Sequence, residues 1–157
     1  MKSVFRKMLS LMLLILTIIV LVKVFGIYKS KDYNDFVRAE KTPYTSQFTR
    51  DNEITVGNNA SYKIKSEEFN DAMFYETVKV DPQTPYKVTC MVKTENIEKQ
   101  ENNFGGGAQI SIEGTTERSN AISGTNDWQK LTLYFDSKDR TEVNIGFRLG
   151  GYDNKCT

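Results

Sequence analysis

Alternation of apolar and polar residues dominates the chain from residue 44 onward and predicts short β-strands. The clearest case is Tyr75–Ile97, where apolar residues occupy every second position on both sides of the turn Asp81–Pro85. A period of two buries one face of a strand and leaves the other in water. Because two nearby prolines exclude a helix or a central strand, the turn joins two strands, either as a hairpin or as a crossover between opposite sheets. The predicted inward positions are Val78, Val80, Tyr86, Val88, Cys90 and Val92.

Other segments repeat this pattern, separated by turns rich in Gly, Asn and Asp. They are Gln47–Val56, Ser61–Lys65, Ala108–Glu113, Trp128–Phe135 and Val143–Leu149. Short alternating strands with turns between them predict an all-β sandwich or barrel. An even number of strands closes the edges of a sandwich best. The chain ends just after a strand, so we expect a last strand to be missing.

An apolar segment precedes the predicted strands. Met8–Tyr28 is almost purely apolar and, as a helix of about 30 Å, would cross a bilayer. Residues 1–29 are therefore predicted to be a basic n-region and an uncleaved transmembrane signal anchor, since no Ala-x-Ala site is present. A cleaved signal peptide is the alternative. Residues 30–43 are predicted to be a polar stalk, and residues 44–157 the folded body, which we expect outside the cytoplasm, or secreted if the signal is cleaved.

The charge distribution bears on possible partners. After Lys31, 15 basic residues stand against all 20 acidic residues, which leaves the body with a net charge of about −5. Nucleic-acid binding proteins carry clustered basic faces, so a nucleic-acid partner is not expected. An uncharged ligand is easier to accommodate, and the membrane is an expected partner through the N-terminal helix.

The absence of histidine argues against catalysis. The chain has no His, which removes the commonest general base and the commonest transition-metal ligand. We therefore expect no enzymatic activity, no cofactor and no metal. Cys90 lies on the apolar side of its strand and is predicted to be a buried thiol. A disulfide between Cys90 and Cys156 is the alternative outside the cytosol.

Several motifs occur in a familiar order and spacing. The segment Pro85–Ile97 resembles a strand of carbohydrate-binding modules of the cellulose- and xylan-binding jelly-roll type, in the galactose-binding-domain-like superfamily. The other matching segments are Ser61–Ile64, Glu76–Val80, Gly106–Ala108, Gly124–Lys130 and Val143–Leu149. The resemblance covers roughly residues 48–157. Two departures are the missing last strand and the missing Asn-Gly opening of a structural calcium site, so no calcium site is expected.

The resemblance implies a jelly-roll β-sandwich of two antiparallel sheets that binds a polysaccharide or cell-surface glycan without catalysis. One alternative is a structural or protein-interaction ectodomain with the same fold and no sugar site. Another is an accessory domain of an enzyme whose catalytic part is absent from this chain.

A sugar site needs flat apolar surface and planar hydrogen-bonding groups, which aromatic, Arg, amide and carboxylate side chains supply. Arg148 is the leading candidate, because alternation turns it away from the core. Trp128 is interpreted as a packing residue instead. The full set of candidate ligand-binding residues is Arg148, Gln109, Tyr75, Glu76, Tyr134, Tyr152 and Glu113.

Overall fold

The structure is a computed structural model that describes residues 36–41, 46–99 and 106–151. All of these fall within Tyr33–Thr157, the second of the two units into which the chain divides. The predicted anchor at residues 1–29 lies outside the described residues. Within the described ranges, no helix has the length and apolar character that crossing a membrane requires.

The described residues form an all-β fold of several antiparallel sheets. The strands are β1 Val37–Glu40, β2 Ser46–Val56, β3 Asn59–Ser66, β4 Ala72–Lys79, β5 Pro85–Ile97, β6 Ala108–Ile112, β7 Gly124–Asp136 and β8 Glu142–Leu149. One sheet has four strands in the order β1-β4-β8-β6. Two ribbons of two strands each, β2-β3 and β5-β7, complete the architecture. The predicted all-β class is confirmed, and the arrangement is sandwich-like.

The main apolar core lies between the four-stranded sheet and the β5-β7 ribbon. Ile110 and Ile112 of β6 and Val143 and Ile145 of β8 are buried on one side, where they meet β7. The remaining buried members are Val80, Leu131, Leu133 and Phe135. Val78, Tyr86, Val88, Cys90 and Val92 pack against them, so the inward positions predicted from the alternation are confirmed.

The turn between β4 and β5 is a crossover. β4 pairs with β1 and β8, whereas β5 pairs with β7 across the core. Of the two connections predicted for Tyr75–Ile97, the crossover is the one that forms. The apolar faces of β4 and β5 then point toward each other from opposite layers, which explains why both segments alternate so regularly.

A second cluster, of aromatic rings, joins the β2-β3 ribbon to the four-stranded sheet. Phe48 of β2 meets Phe74 of β4 edge-on, with ring centroids 5.2 Å apart. Tyr62 of β3 lies 5.9 Å from Phe74 and 5.1 Å from Phe36. Such tilted and edge-on contacts are favoured geometries for aromatic pairs. Ring contacts therefore attach the β2-β3 ribbon to the sheet.

Residues 36–40 were predicted to lie within a polar stalk, and here the structure differs. Val37–Glu40 forms β1 and pairs with β4, from Val37 opposite Tyr75 to Glu40 opposite Ala72. The ring of Phe36, next to this strand, meets the ring of Phe147 edge-on, with the centroids 6.1 Å apart. The sequence pattern missed the strand because only a few apolar residues mark it. The backbone of β4 and the aromatic cluster provide its partners instead.

Candidate functional site

Arg148, the leading candidate from the sequence, lies on the face of β8 opposite the main core, but it is buried. Its side chain is 4% exposed and forms a two-pronged ion pair with Asp71. Nε donates to Asp71 Oδ1 at 2.9 Å, and one terminal nitrogen donates to Asp71 Oδ2 at 3.1 Å. The other terminal nitrogen lies 3.3 Å from both Ser111 Oγ and Glu113 Oε2. All three nitrogens of the Arg148 guanidinium thus already contact protein groups.

Burial changes the acidity of the partner carboxyl. Removal from water raises the pKa of Asp71, and Glu113 adds to this rise. Arg148 and Lys41 oppose it through their positive charges. The ion pair between Arg148 and Asp71 is therefore structural. The attraction between the two charges only partly offsets the free-energy cost of removing them from water.

Gln109 and Tyr75 share this face with Arg148, and all three are buried or half-buried. Gln109 is directly opposite Arg148 and is 2% exposed, with its side-chain amide donating to the Gly150 carbonyl. Tyr75 is half-buried opposite Gly146. A Cβ at Gly146 would lie 3.0 Å from Ser111 Oγ and 3.1 Å from the Met73 sulfur. Neighbouring side chains thus fill the space beside Gly146.

The other predicted site residues are scattered. Glu113 follows β6 and is partly exposed while it contacts Arg148. Glu76 is opposite Ile145, on the side of β4 that faces the second layer, and is half-buried. Tyr134 is on β7, in the other layer. Tyr152 lies outside the described residues. The structure therefore brings Arg148, Gln109, Tyr75 and Glu113 onto one sheet and separates Tyr134 from them.

Tyr134 belongs to the solvent-exposed face formed by the outward positions of the β5-β7 ribbon, which we call the ribbon face. Its side chain is 70% exposed and is paired in register with Lys87, whose ammonium lies 5.6 Å from the ring centroid. Further along, Thr89 is opposite Thr132, and Met91, 44% exposed, is opposite Lys130. An exposed ring beside hydroxyl and ammonium groups is suited to stacking and hydrogen bonding.

The lysines of the ribbon face differ in their partners. Lys93 forms an ion pair with Asp127 at 3.0 Å, and this contact lowers the pKa of Asp127 together with the Trp128 amide. Lys87 and Lys130 have no carboxylate within ion-pair distance in the described part of the chain. Two ammonium groups of this face are therefore without an ion-pair partner among the described residues.

The β2-β3 ribbon carries a polar groove that the sequence did not predict. Its volume is about 370 Å³, and its walls are hydrophilic. Asp51 shapes one end, since its carboxylate accepts hydrogen bonds from the amides of Glu53 and Ile54, which lowers its pKa. The lining residues are Gln47, Thr49, Arg50, Asp51, Asn52, Glu53, Lys63 and Lys65. None is aromatic, so the groove offers hydrogen bonds without a stacking surface. The polar run Thr49–Glu53 is the signal that could have indicated it.

Two features of the described ranges concern metal binding and the state of Cys90. There, no group of three or more His, Cys, Asp or Glu residues is placed to hold a metal ion. Cys90 is a free thiol, and burial raises its pKa to about 11. A thiol with such a pKa is protonated and unreactive near neutral pH. Cys156 lies outside the described residues.

Comparison with known proteins adds no relative. No protein-family model matches the chain, and a search of curated proteins finds no match either.

Proposed function

We propose that this protein is a non-catalytic binding module whose ligand is a saccharide, held on the ribbon face around Tyr134. The observation that carries the proposal is the 70% exposure of Tyr134 on a sheet face whose other outward residues are mostly polar. Large apolar rings are usually covered, and one that remains exposed amid hydroxyls is suited to the apolar side of a pyranose. The hydroxyls and ammonium groups around it can bond the sugar hydroxyls.

The motif resemblance supports the same ligand class and a jelly-roll topology for the body. The β4-to-β5 crossover is of the kind that a jelly roll uses between its sheets. The apolar segment Met8–Tyr28 supports attachment to the membrane, with the body on its outer side. N-terminal sequencing of the mature protein tests the attachment, because a start near Ile27 would mean a cleaved signal.

A glycan array probed with the full chain in detergent tests the ligand class. Tyr134→Ala is expected to weaken binding by roughly two- to tenfold, since an aromatic contact is worth about 0.5–1.5 kcal/mol. Val56→Ala is the matched control, because Val56 is an exposed apolar residue on a different ribbon. Undiminished glycan binding by the Tyr134→Ala variant would show that the saccharide site lies on another surface. Binding to no glycan by a chain with native circular dichroism would overturn the proposal.

A protein-interaction module is the second candidate, and the composition of the ribbon face favours it specifically. Tyr and Met are enriched in protein interfaces, and both Tyr134 and Met91 are exposed there. In addition, the Arg148 guanidinium is buried and bound to Asp71, so it does not supply the hydrogen bonds that a sugar site would use. A protein partner whose capture depends on Tyr134, in a chain that binds no glycan, would establish this candidate.

A further inference from the structure

We infer that the ligand of the ribbon face is an acidic polysaccharide, one whose sugar units carry carboxylate or sulfate groups. This inference rests on the proposed saccharide function and specifies its chemical class. It comes from the charges that the protein leaves unneutralised on this face and from their placement around the exposed ring.

The charges within the ribbon face are unevenly paired. Lys93 is neutralised by Asp127, whereas Lys87 and Lys130 have no carboxylate within ion-pair distance in the described residues. Asp136 and Glu95 stand near the two ends of the strands. The centre of the face is therefore locally positive. The body as a whole carries an excess of acidic residues, 20 against 15 basic ones after Lys31. The two lysines at the centre of this face, and not the net charge of the body, favour a ligand with fixed negative charges.

The spacing of these groups suits an extended chain. The pair Lys87–Tyr134 and the pair Met91–Lys130 are four residues apart along β5. At about 3.3 Å per residue, this separation is about 13 Å, comparable to a short oligosaccharide. Between the two pairs lie only Thr89 and Thr132, whose hydroxyls can donate and accept. A polymer laid along the ribbon would meet an ammonium group, two hydroxyls and a second ammonium group in succession.

The ring of Tyr134 distinguishes this ligand from other anions. The Lys87 ammonium lies 5.6 Å from the ring centroid, so a sugar that stacks on the ring places its acidic substituent beside the cation. A phosphate or a lipid headgroup alone would use the lysines and leave the ring without a role.

The test compares two hexasaccharides of identical linkage, one of neutral glucose and one of glucuronic acid, binding to the full chain in detergent. We expect the acidic hexamer to bind about tenfold more tightly at low salt, because two exposed ion pairs correspond to about that ratio. High salt should remove the preference. Lys87→Gln combined with Lys130→Gln should also remove the preference, because it lowers the affinity for the acidic hexamer more than the affinity for the neutral one. Lys79→Gln is the matched control, since Lys79 is an exposed strand lysine outside the ribbon face.

The outcomes separate the inference from the proposed function. Equal affinity for both hexamers overturns the acidic class and leaves the saccharide proposal standing. Binding of neither hexamer, by a chain with native circular dichroism, overturns the inference, and the glycan array then decides the saccharide proposal separately. Vesicles containing phosphatidylglycerol form the third arm. Binding to the vesicles but to neither hexamer, abolished by the two lysine substitutions, would assign the face to lipid and overturn the inference.

Discussion

Arg148 and Asp71 form a buried ion pair whose members depend on each other. Both side chains are at most 4% exposed, so neither charge can be solvated if its partner is removed. Breaking such a pair from one side commonly costs about 3–5 kcal/mol, whereas replacing both members with apolar residues is often neutral. The pair therefore contributes to the unique arrangement of β8 beside the loop that precedes β4.

At this scale we expect Arg148→Met to lower the free energy of unfolding by about 3–5 kcal/mol, because it leaves the Asp71 carboxylate buried without its cation. Urea denaturation measures the loss. Arg50→Met is the matched control, since Arg50 is exposed and its replacement should change stability by about 0.5 kcal/mol or less. The double variant Arg148→Met with Asp71→Leu should recover most of the loss. A loss below about 1 kcal/mol in the single variant would contradict the structural role.

At the scale of elements, Ser137 joins the loop after β7 to the crossover between β4 and β5. Its hydroxyl donates to the Asp81 carbonyl at 2.6 Å and accepts from the Thr84 amide at 2.9 Å. Its own amide donates to the Thr84 carbonyl at 3.0 Å. The side chain of this fully buried residue thus satisfies polar groups of a turn that has no regular pairing. This bonding fixes where the chain passes from one layer to the other.

We expect Ser137→Ala to destabilise the fold by about 1–3 kcal/mol, because two backbone groups lose their partner in a buried setting. Thermal unfolding followed by circular dichroism measures the change. Thr116→Ala provides the comparison, since Thr116 is exposed and its replacement should have an effect within about 0.5 kcal/mol. Equal melting temperatures for the two variants would show that the crossover does not depend on Ser137.

At the scale of the whole molecule, stability should depend on pH through Asp71. Burial raises the pKa of this carboxyl above its ordinary 3.8, so the folded state holds the proton more tightly than the unfolded state does. The resulting stabilisation is present below the unfolded pKa and is lost as pH rises through the folded pKa. The charges facing Asp71 are those of Arg148, Lys41 and Glu113.

The measurement compares the unfolding free energy of the wild type with that of Asp71→Asn across the acid range. The Asn side chain cannot ionise, so the difference, wild type minus variant, should fall as pH rises above 3.8. A difference that instead grows with pH would mean that the attraction of Arg148 outweighs burial. The Asp127→Asn variant gives the comparison of opposite sign, because Lys93 and the Trp128 amide lower the pKa of Asp127, so that the wild-type-minus-variant difference should rise with pH there.

Much of the fold could be predicted because alternation depends only on local sequence. The strands from β2 to β8 occur near the predicted segments, and Val78, Val88 and Leu133 face the core as predicted. β1 could not be predicted, because its stability comes from pairing with a strand some thirty-five residues further along the chain. Its own composition resembles that of a stalk.

The candidate site was less predictable for a related reason. Alternation correctly turned Arg148 and Gln109 away from the main core, but it carries no information about what else covers that face. Asp71, which holds Arg148, lies in a loop and is distant in sequence. Tyr134 was identified as a candidate, yet its separation from Arg148 follows from β7 and β8 lying in different layers.

The sequence by itself determined the strand periodicity, the inward residues and the acidic balance of the body, since each depends on residue type and spacing alone. Only the tertiary structure decided that Tyr75–Ile97 crosses between layers and that Arg148 forms an ion pair with Asp71. It also decided that Lys87 lies beside Tyr134, where neither Lys87 nor Lys130 has a carboxylate partner among the described residues. The reason is physical. Burial and charge pairing depend on which distant strands become neighbours, and strand pairing over long separations is set by the packed core rather than by any local pattern.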